Sequence, residues 1–347
     1  MTTIPVEPSA LLRTGLDLVA QRQVVTEAPL TWFALLPGDR ALVAVGDTVT
    51  AGTPLAEVLN DRHLIDVPMS AAGAGAGPGD RWAGDPRRGA ILLRRGPGAI
   101  SGELLFAAGS QWRVASGEQG GLLEAPAAGV VRDVRPGAGI ALQITGAAIN
   151  GIRAVGAPAR GPLDVATGGD TDSRASGLDV GRAGAILVIG GRVDAETLTR
   201  ARAMGIRGIV VGSLSAGDLR DFAASEARQR ASLHRLPPFA VLVLDGTIRR
   251  AVASPVRASI AALAGQDVAI TADPPQLLFD PALVRLPAPA QDLVRVRQGA
   301  WGGREGQWVG PAGPRQFRGG VWLEAGLVRF ESGEPVALPL ADLERFA

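Results

Sequence analysis

The chain has 347 residues, 46 % hydrophobic and 20 % charged, with 35 basic against 34 acidic side chains. That length sets two or three domains as the expectation, and the charge balance excludes both a disordered tail protein and polyanion binding driven by bulk charge. Cys, Tyr and Lys are all absent, so every basic residue is Arg, which excludes disulfides, thiolate nucleophiles, iron–sulfur clusters, cysteine zinc sites, Schiff-base chemistry, a Walker A lysine and covalent biotin or lipoate.

No segment approaches the roughly 18 uncharged apolar residues of a membrane span, and the start, Met-Thr-Thr-Ile-Pro-Val-Glu-Pro, lacks the basic-then-apolar order of a signal peptide. A soluble, cytoplasmic protein without a membrane partner is expected. Arg, Ala, Gly and Pro in place of Lys, Asn and Tyr read as the drift of a GC-rich genome.

In chain order, residues 1–30 form a lead-in with a short helix or irregular stretch near 11–24. Residues 31–165 read as a β domain. Between Trp32 and Val58, short apolar runs are punctuated by Gly38-Asp39, Gly46-Asp47 and Gly52-Thr53-Pro54, the signature of strands joined by tight turns. The pattern breaks down from Asp61 to about Gly89, where the Ala/Gly-rich 71–80 stretch reads as a flexible loop. Short strands return near 90–94, 102–106 and 111–115, and a second Gly/Pro-punctuated β segment covers 123–142.

From about 180 to 275 the period changes. The apolar runs 185–189, 208–211, 239–244 and 268–271 alternate with helical patterns at 194–204, 216–230 and 255–263. Uninterrupted apolar strands alternating with helices predict an α/β domain with a parallel sheet, Rossmann-like or of the swivelling type. The last segment, 290–347, is again β in character and carries three of the six Trp.

Two family resemblances arise along this path. The Val-Gly-Asp-Thr-Val-Thr-Ala-Gly-Thr-Pro-Leu-Ala run at 45–56 and the Glu-Ala-Pro-Ala-Ala-Gly-Val-Val run at 124–131 resemble the two halves of a biotinyl/lipoyl-like barrel-sandwich hybrid. That resemblance implies a rigid β module split by an insertion at about 61–121, and without any lysine it cannot be a carrier. The 294–309 run, with Val294, Val296, Gly299, Gly303 and Gly306 in place, resembles the KOW motif of SH3-like barrels in NusG-type elongation factors and ribosomal proteins. Taken whole, the chain is similar to bacterial KOW-motif-containing proteins, with the order barrel-sandwich hybrid, α/β sheet, SH3-like β-barrel.

Candidate sites follow. KOW barrels contact RNA or protein partners through basic and aromatic loop residues, and the resemblance implies that role for Arg295, Arg297, Trp301, Arg304, Trp308, Arg315 and Arg318, as phosphate contacts and stacking platforms. Residues 290–347 hold seven Arg against seven acidic residues, a weak balance for phosphate neutralisation. In the α/β domain, strand ends and helix N-termini can hold an anion; the candidates are Gly190, Gly191, Arg192, Gly212, Ser213, Ser215, Asp245 and Gly246. The same residues also serve as ordinary turns and caps. Gly212-Ser213-Leu214-Ser215 misses the spacing of a nucleophile elbow. His63 and His234 read as ordinary histidines, and Asp170, Asp172 and Asp179 as part of a solvated linker, so neither a metal nor a cofactor is expected.

These features predict a non-catalytic adaptor whose KOW-like barrel meets RNA, a transcription or ribosomal complex, or a protein partner. The alternatives are a sensor or enzyme for a small anionic ligand at the strand ends of the α/β domain, and a structural subunit of a homo-oligomer.

Overall fold

The computed structural model describes residues 15–35, 39–58, 63–68, 90–92, 101–108, 111–116, 121–165, 180–232, 239–248, 250–331 and 333–347. These residues are mostly β, with three α-helices and five sheets, none of which closes into a barrel. The chain divides into two compact units, one of Met1–Pro29, Gly146–Ala216 and Phe239–Ala347, the other of Leu30–Thr145 and Gly217–Pro238.

The first unit opens with a single 3₁₀ turn, Leu16–Leu18, and the strands β1 (Ala20–Arg22) and β2 (Val25–Glu27). The chain then enters the second unit, with β3 (Leu30–Ala34), β4 (Arg40–Ala41), β5 (Thr48–Val49) and β6 (Pro54–Val58), β7 (His63–Pro68), β8 (Ala90–Leu92), β9 (Ser101–Ala108) and β10 (Gln111–Ser116), and β11 (Gly121–Glu124), β12 (Gly129–Arg135) and β13 (Gly139–Ile144). The segments 45–56 and 124–131 are joined in a regular way. Val49 pairs with Gly129 and Pro54 with Glu124, while Gly46 N–H donates to the Val131 carbonyl and Gly52 N–H to the Ala125 carbonyl, both at 2.8 Å. Gly46 (φ +95°) takes a left-handed turn, and the Asp47 carboxylate closes it by accepting from Ala44 N–H at 2.8 Å. Val131, Leu55, Ile140 and Leu142 are buried on the inner faces. Strands β7 to β10, which lie within the 61–121 insertion, form a separate antiparallel sheet ordered β7-β10-β9-β8. β7 corrects the expectation of irregular chain from Asp61 onward: His63-Leu-Ile-Asp-Val-Pro68 is a strand that pairs along the whole of β10. The 71–80 loop lies outside the described residues.

The return to the first unit brings β14 (Ala147–Asn150), β15 (Arg153–Gly156) and β16 (Ala159–Val165), then β17 (Ile186–Arg192), α1 (Ala195–Ala203) and β18 (Gly208–Ser213); α2 (Ala216–Ser232) belongs, after its first residue, to the second unit, and the first resumes with β19 (Ala240–Val243), α3 (Ser254–Ala262), β20 (Asp267–Ala272) and β21 (Pro275–Phe279). The strands form one nine-stranded sheet, ordered β15-β19-β18-β17-β16-β20-β21-β14-β2. Strands β16 to β19 are mutually parallel, as the strand–helix alternation predicts. The sheet as a whole is mixed, because β15, β20, β21, β14 and β2 all pair antiparallel to their neighbours. The strands at 147–165, within the span read from sequence as the first β domain, are part of this sheet.

One short connection shapes the sheet. β14 and β15 stand near its opposite ends in the strand order, yet only Gly151 and Ile152 separate them in sequence. Two residues span well under about 10 Å, so the sheet must roll until its wings face each other. Gly151 N–H donates to the Pro275 carbonyl and Ile152 N–H to the Val243 carbonyl, one on each wing. The space between holds the core, with Ile149, Ile186, Val210, Leu242, Ile260, Leu263, Ile270 and Leu277 all buried.

The last strands are β22 (Leu293–Val296), β23 (Glu305–Gln316), β24 (Trp322–Arg329), β25 (Val336–Pro339) and β26 (Leu343–Phe346). They form an open sheet ordered β1-β26-β22-β23-β24-β25, where a closed SH3-like barrel was expected. The lead-in supplies its edge: β1 pairs in parallel with β26, Ala20 opposite Glu344, and Leu16 and Val19 enter the same core as Val294, Trp308, Val328 and Leu343.

Candidate functional site: the strand ends and the outer hairpin

The strand-end residues lie where the α/β pattern puts them, but the structure fills that edge with its own side chains. Gly190, Gly191 and Arg192 are the last residues of β17 rather than a loop after it, and Gly212 and Ser213 end β18. Arg192 pairs with Ser213 through the backbone, and its side chain lies outside the described residues. A Cβ on Gly212 would meet the Gly190 carbonyl oxygen and Val252 Cγ2 at 2.8 Å, so glycine here serves close packing. Ser213 is 1 % exposed, and its hydroxyl has no hydrogen-bond partner among the described residues. Ser215 precedes α2, and Gly246 (φ +102°) turns the chain after β19.

Asp245, just beyond β19, is 2 % exposed and acts as the counter-ion of a buried arginine cluster. Its Oδ1 accepts from Arg22 Nη1 at 2.6 Å and from Arg295 Nη1 at 2.9 Å. Arg22 also donates to the Leu244 carbonyl and Arg295 to the Ala251 carbonyl. Arg250 donates from Nη2 to the Asp245 carbonyl and from Nη1 to the Arg297 carbonyl. Glu344 Oε1 lies 4.0 Å from Arg295 Nη1. Burial, and next the Arg295 guanidinium, hold the pKa of Arg250 below the usual arginine value. Three guanidinium groups around two carboxylates join the end of β19 to β1 and β22, so Asp245 is committed to holding the fold together. The N-terminus of α3 is closed similarly, with Ser254 N–H donating to Glu305 Oε1 of β23 at 2.7 Å.

The residues expected to meet RNA divide into two groups. Arg295 is fully buried, at 0 % exposure, and Trp308 fills the core of the C-terminal sheet; neither can reach a partner. The alternating burial of β22 explains this, because Val294 and Val296 point into one core while Arg295, between them, points towards Asp245. Trp301 stacks on Phe330 (centroids 4.7 Å apart, planes at 6°), and Arg304 covers both rings at 4.8 and 5.4 Å. One face of Trp301 is therefore covered by Phe330, with Arg304 against the stacked pair. The KOW-like glycines have a local explanation, since Gly299 (φ +80°) and Gly303 (φ +84°) adopt the left-handed backbone of the β22–β23 turn.

Arg297, Arg304, Arg315 and Arg318 are exposed. Arg315 and Arg318 belong to the outer end of the β23–β24 hairpin, where neither has an ion-pair partner among the described residues. Trp322, absent from the expected set, is 65 % exposed at that end. It pairs across the hairpin with Gln316, while Arg315 pairs with Leu323. A lone aromatic next to Gly-Gly-Val in a strand pattern resembles a core residue in sequence, so its exposure had no local signal. The His234 and 168–174 expectations lie outside the described residues. Within the described residues, no group of three metal-ligand side chains assembles and no helix is long and apolar enough to cross a membrane.

Compared with protein-family models, curated proteins and solved structures, the chain has no match in any of the three.

Proposed function

We propose that the chain is a non-catalytic binding protein whose C-terminal sheet acts as a KOW/SH3-like module and contacts single-stranded RNA through the outer end of its β23–β24 hairpin. The observation that carries this reading is Trp322, 65 % exposed beside Arg315 and Arg318, which have no ion-pair partner among the described residues. An exposed indole offers a stacking face to any base, and two exposed guanidinium groups offer phosphate contacts. The paired 45–56 and 124–131 segments support a rigid barrel-sandwich-hybrid-like module in the second unit.

Two phosphate contacts make for modest affinity and a shallow salt dependence, with a log–log slope of about −1.4 for single-stranded RNA. Fluorescence anisotropy of the full chain with a labelled oligouridine, at several salt concentrations, tests this. Arg318→Ala is expected to halve the slope, and Trp322→Ala to weaken binding by about 1–3 kcal/mol. Absent binding, a slope near zero, or unchanged affinity in Trp322→Ala overturns the RNA reading and leaves protein docking at the same hairpin.

A further inference from the structure

A cleft of about 530 Å³ opens in the first unit between β2, the start of β14, α3 and the segment at 281–289. Its floor is apolar and buried, formed by Val24, Ala147 and Phe279. Val284 and Leu286, both half-buried, make the outer wall, and Arg285 between them is exposed and not part of it. The size lies within the range of small-molecule sites, which combine apolar walls with a few placed polar groups.

The polar groups here point to one chemistry. Among the described residues, Glu27 is the single one with an ionisable side chain in the lining, and it forms no ion pair there. Ser259 of α3 also lines the cleft and is 2 % exposed. Pro281, Pro287 and Pro289 in the same wall carry no N–H, so that wall lacks donors where backbone would usually supply them. A carboxylate accepts only, and a hydroxyl both donates and accepts. Among the described lining residues a ligand carboxylate or phosphate would find no cation, whereas a cationic donor would find Glu27 and Ser259.

We infer that this cleft binds a small lipophilic amine, its ammonium group on Glu27 and its hydrocarbon body between Phe279, Val284 and Leu286. The site is separate from the hairpin end and does not depend on the RNA reading.

The test uses the full chain and three probes of one length, n-octylammonium, n-octanol and octanoate, followed by calorimetry and by ligand-observed NMR. Octylammonium is expected to saturate a single site, octanol to bind more weakly, and octanoate not to bind. Glu27→Gln, at an exposed position, should weaken octylammonium about fivefold or more, to the level of octanol, and leave octanol unchanged. Ser259→Leu should fill the cleft and remove binding of both; its fold is checked by circular dichroism, and Glu27→Gln keeps the test decisive if that variant misfolds. Octanoate binding as well as octylammonium, octylammonium unaffected by Glu27→Gln, or no binding by any probe overturns the inference.

Discussion

Removing the charge of Asp245 tests whether the arginine cluster holds the strand ends to the C-terminal sheet. Oδ1 accepts two charge-assisted hydrogen bonds, at 2.6 and 2.9 Å, from Arg22 and Arg295. Such bonds contribute about 1.5–3 kcal/mol each, roughly twice a neutral bond. Asp245→Asn keeps an acceptor of the same shape and loses the charge, so it should cost about half of each, or about 1.5–3 kcal/mol in all. Asp245→Ala also strands Arg295, whose side chain is 0 % exposed with Glu344 only at 4.0 Å, and should cost about 3–5 kcal/mol. Arg22, at 17 % side-chain exposure, can turn to water and should suffer less. Urea denaturation of a variant with Trp32, Trp82 and Trp112 replaced by Phe confines the fluorescence to tryptophans of the first unit. The decisive measurement is the double variant Asp245→Ala/Arg295→Met. Replacing a buried ion pair by apolar volume is often neutral, so it should recover most of the loss. A double variant as unstable as Asp245→Ala alone, or a loss below about 1 kcal/mol in Asp245→Ala, refutes the reasoning.

Three further outcomes are expected. Glu305→Ala removes the acceptor at the N-terminus of α3 and should cost about 1 kcal/mol in the same denaturation, with Glu305→Gln recovering part of it. Leu16→Ala should cost about 2–5 kcal/mol, because Leu16 sits in the C-terminal core; a negligible loss would show that the lead-in does not complete that sheet. Gly212→Ala would drive a methyl to 2.8 Å from the Gly190 carbonyl oxygen and should lower stability by about 1–3 kcal/mol, read as an earlier thermal midpoint.

The elements that short-range pattern specifies were legible. Apolar runs followed by helical spacing place β17, α1, β18, α2, β19 and α3 within three residues of their observed bounds, because burial on both faces of a parallel strand leaves a continuous apolar signature. The turn at Gly46-Asp47 was readable for a similar reason: a left-handed backbone beside a carboxylate that closes the turn is chemistry confined to a few residues. The candidate site was much less legible. Arg295, Arg297, Arg304, Arg315 and Arg318 look alike in sequence, yet the first is buried on Asp245 and the last two are exposed, with no ion-pair partner among the described residues. What separates them is the partner on the opposite side of a strand, and Asp245 lies 50 residues from Arg295 and 223 from Arg22.

By itself, composition decided one chemical question: a chain without lysine or cysteine cannot carry biotin or lipoate or use a thiolate, whatever its fold. Local pattern decided which segments are strands and helices, since steric and burial preferences act over a few residues. Long-range pairing decided the rest. It set the lead-in beside the last strand, rolled the nine-stranded sheet through the two-residue link between β14 and β15, and brought the Asp245 carboxylate onto Arg22 and Arg295. Those outcomes depend on which surfaces meet once the whole chain is compact, and a buried charge must find its partner there, however distant in sequence.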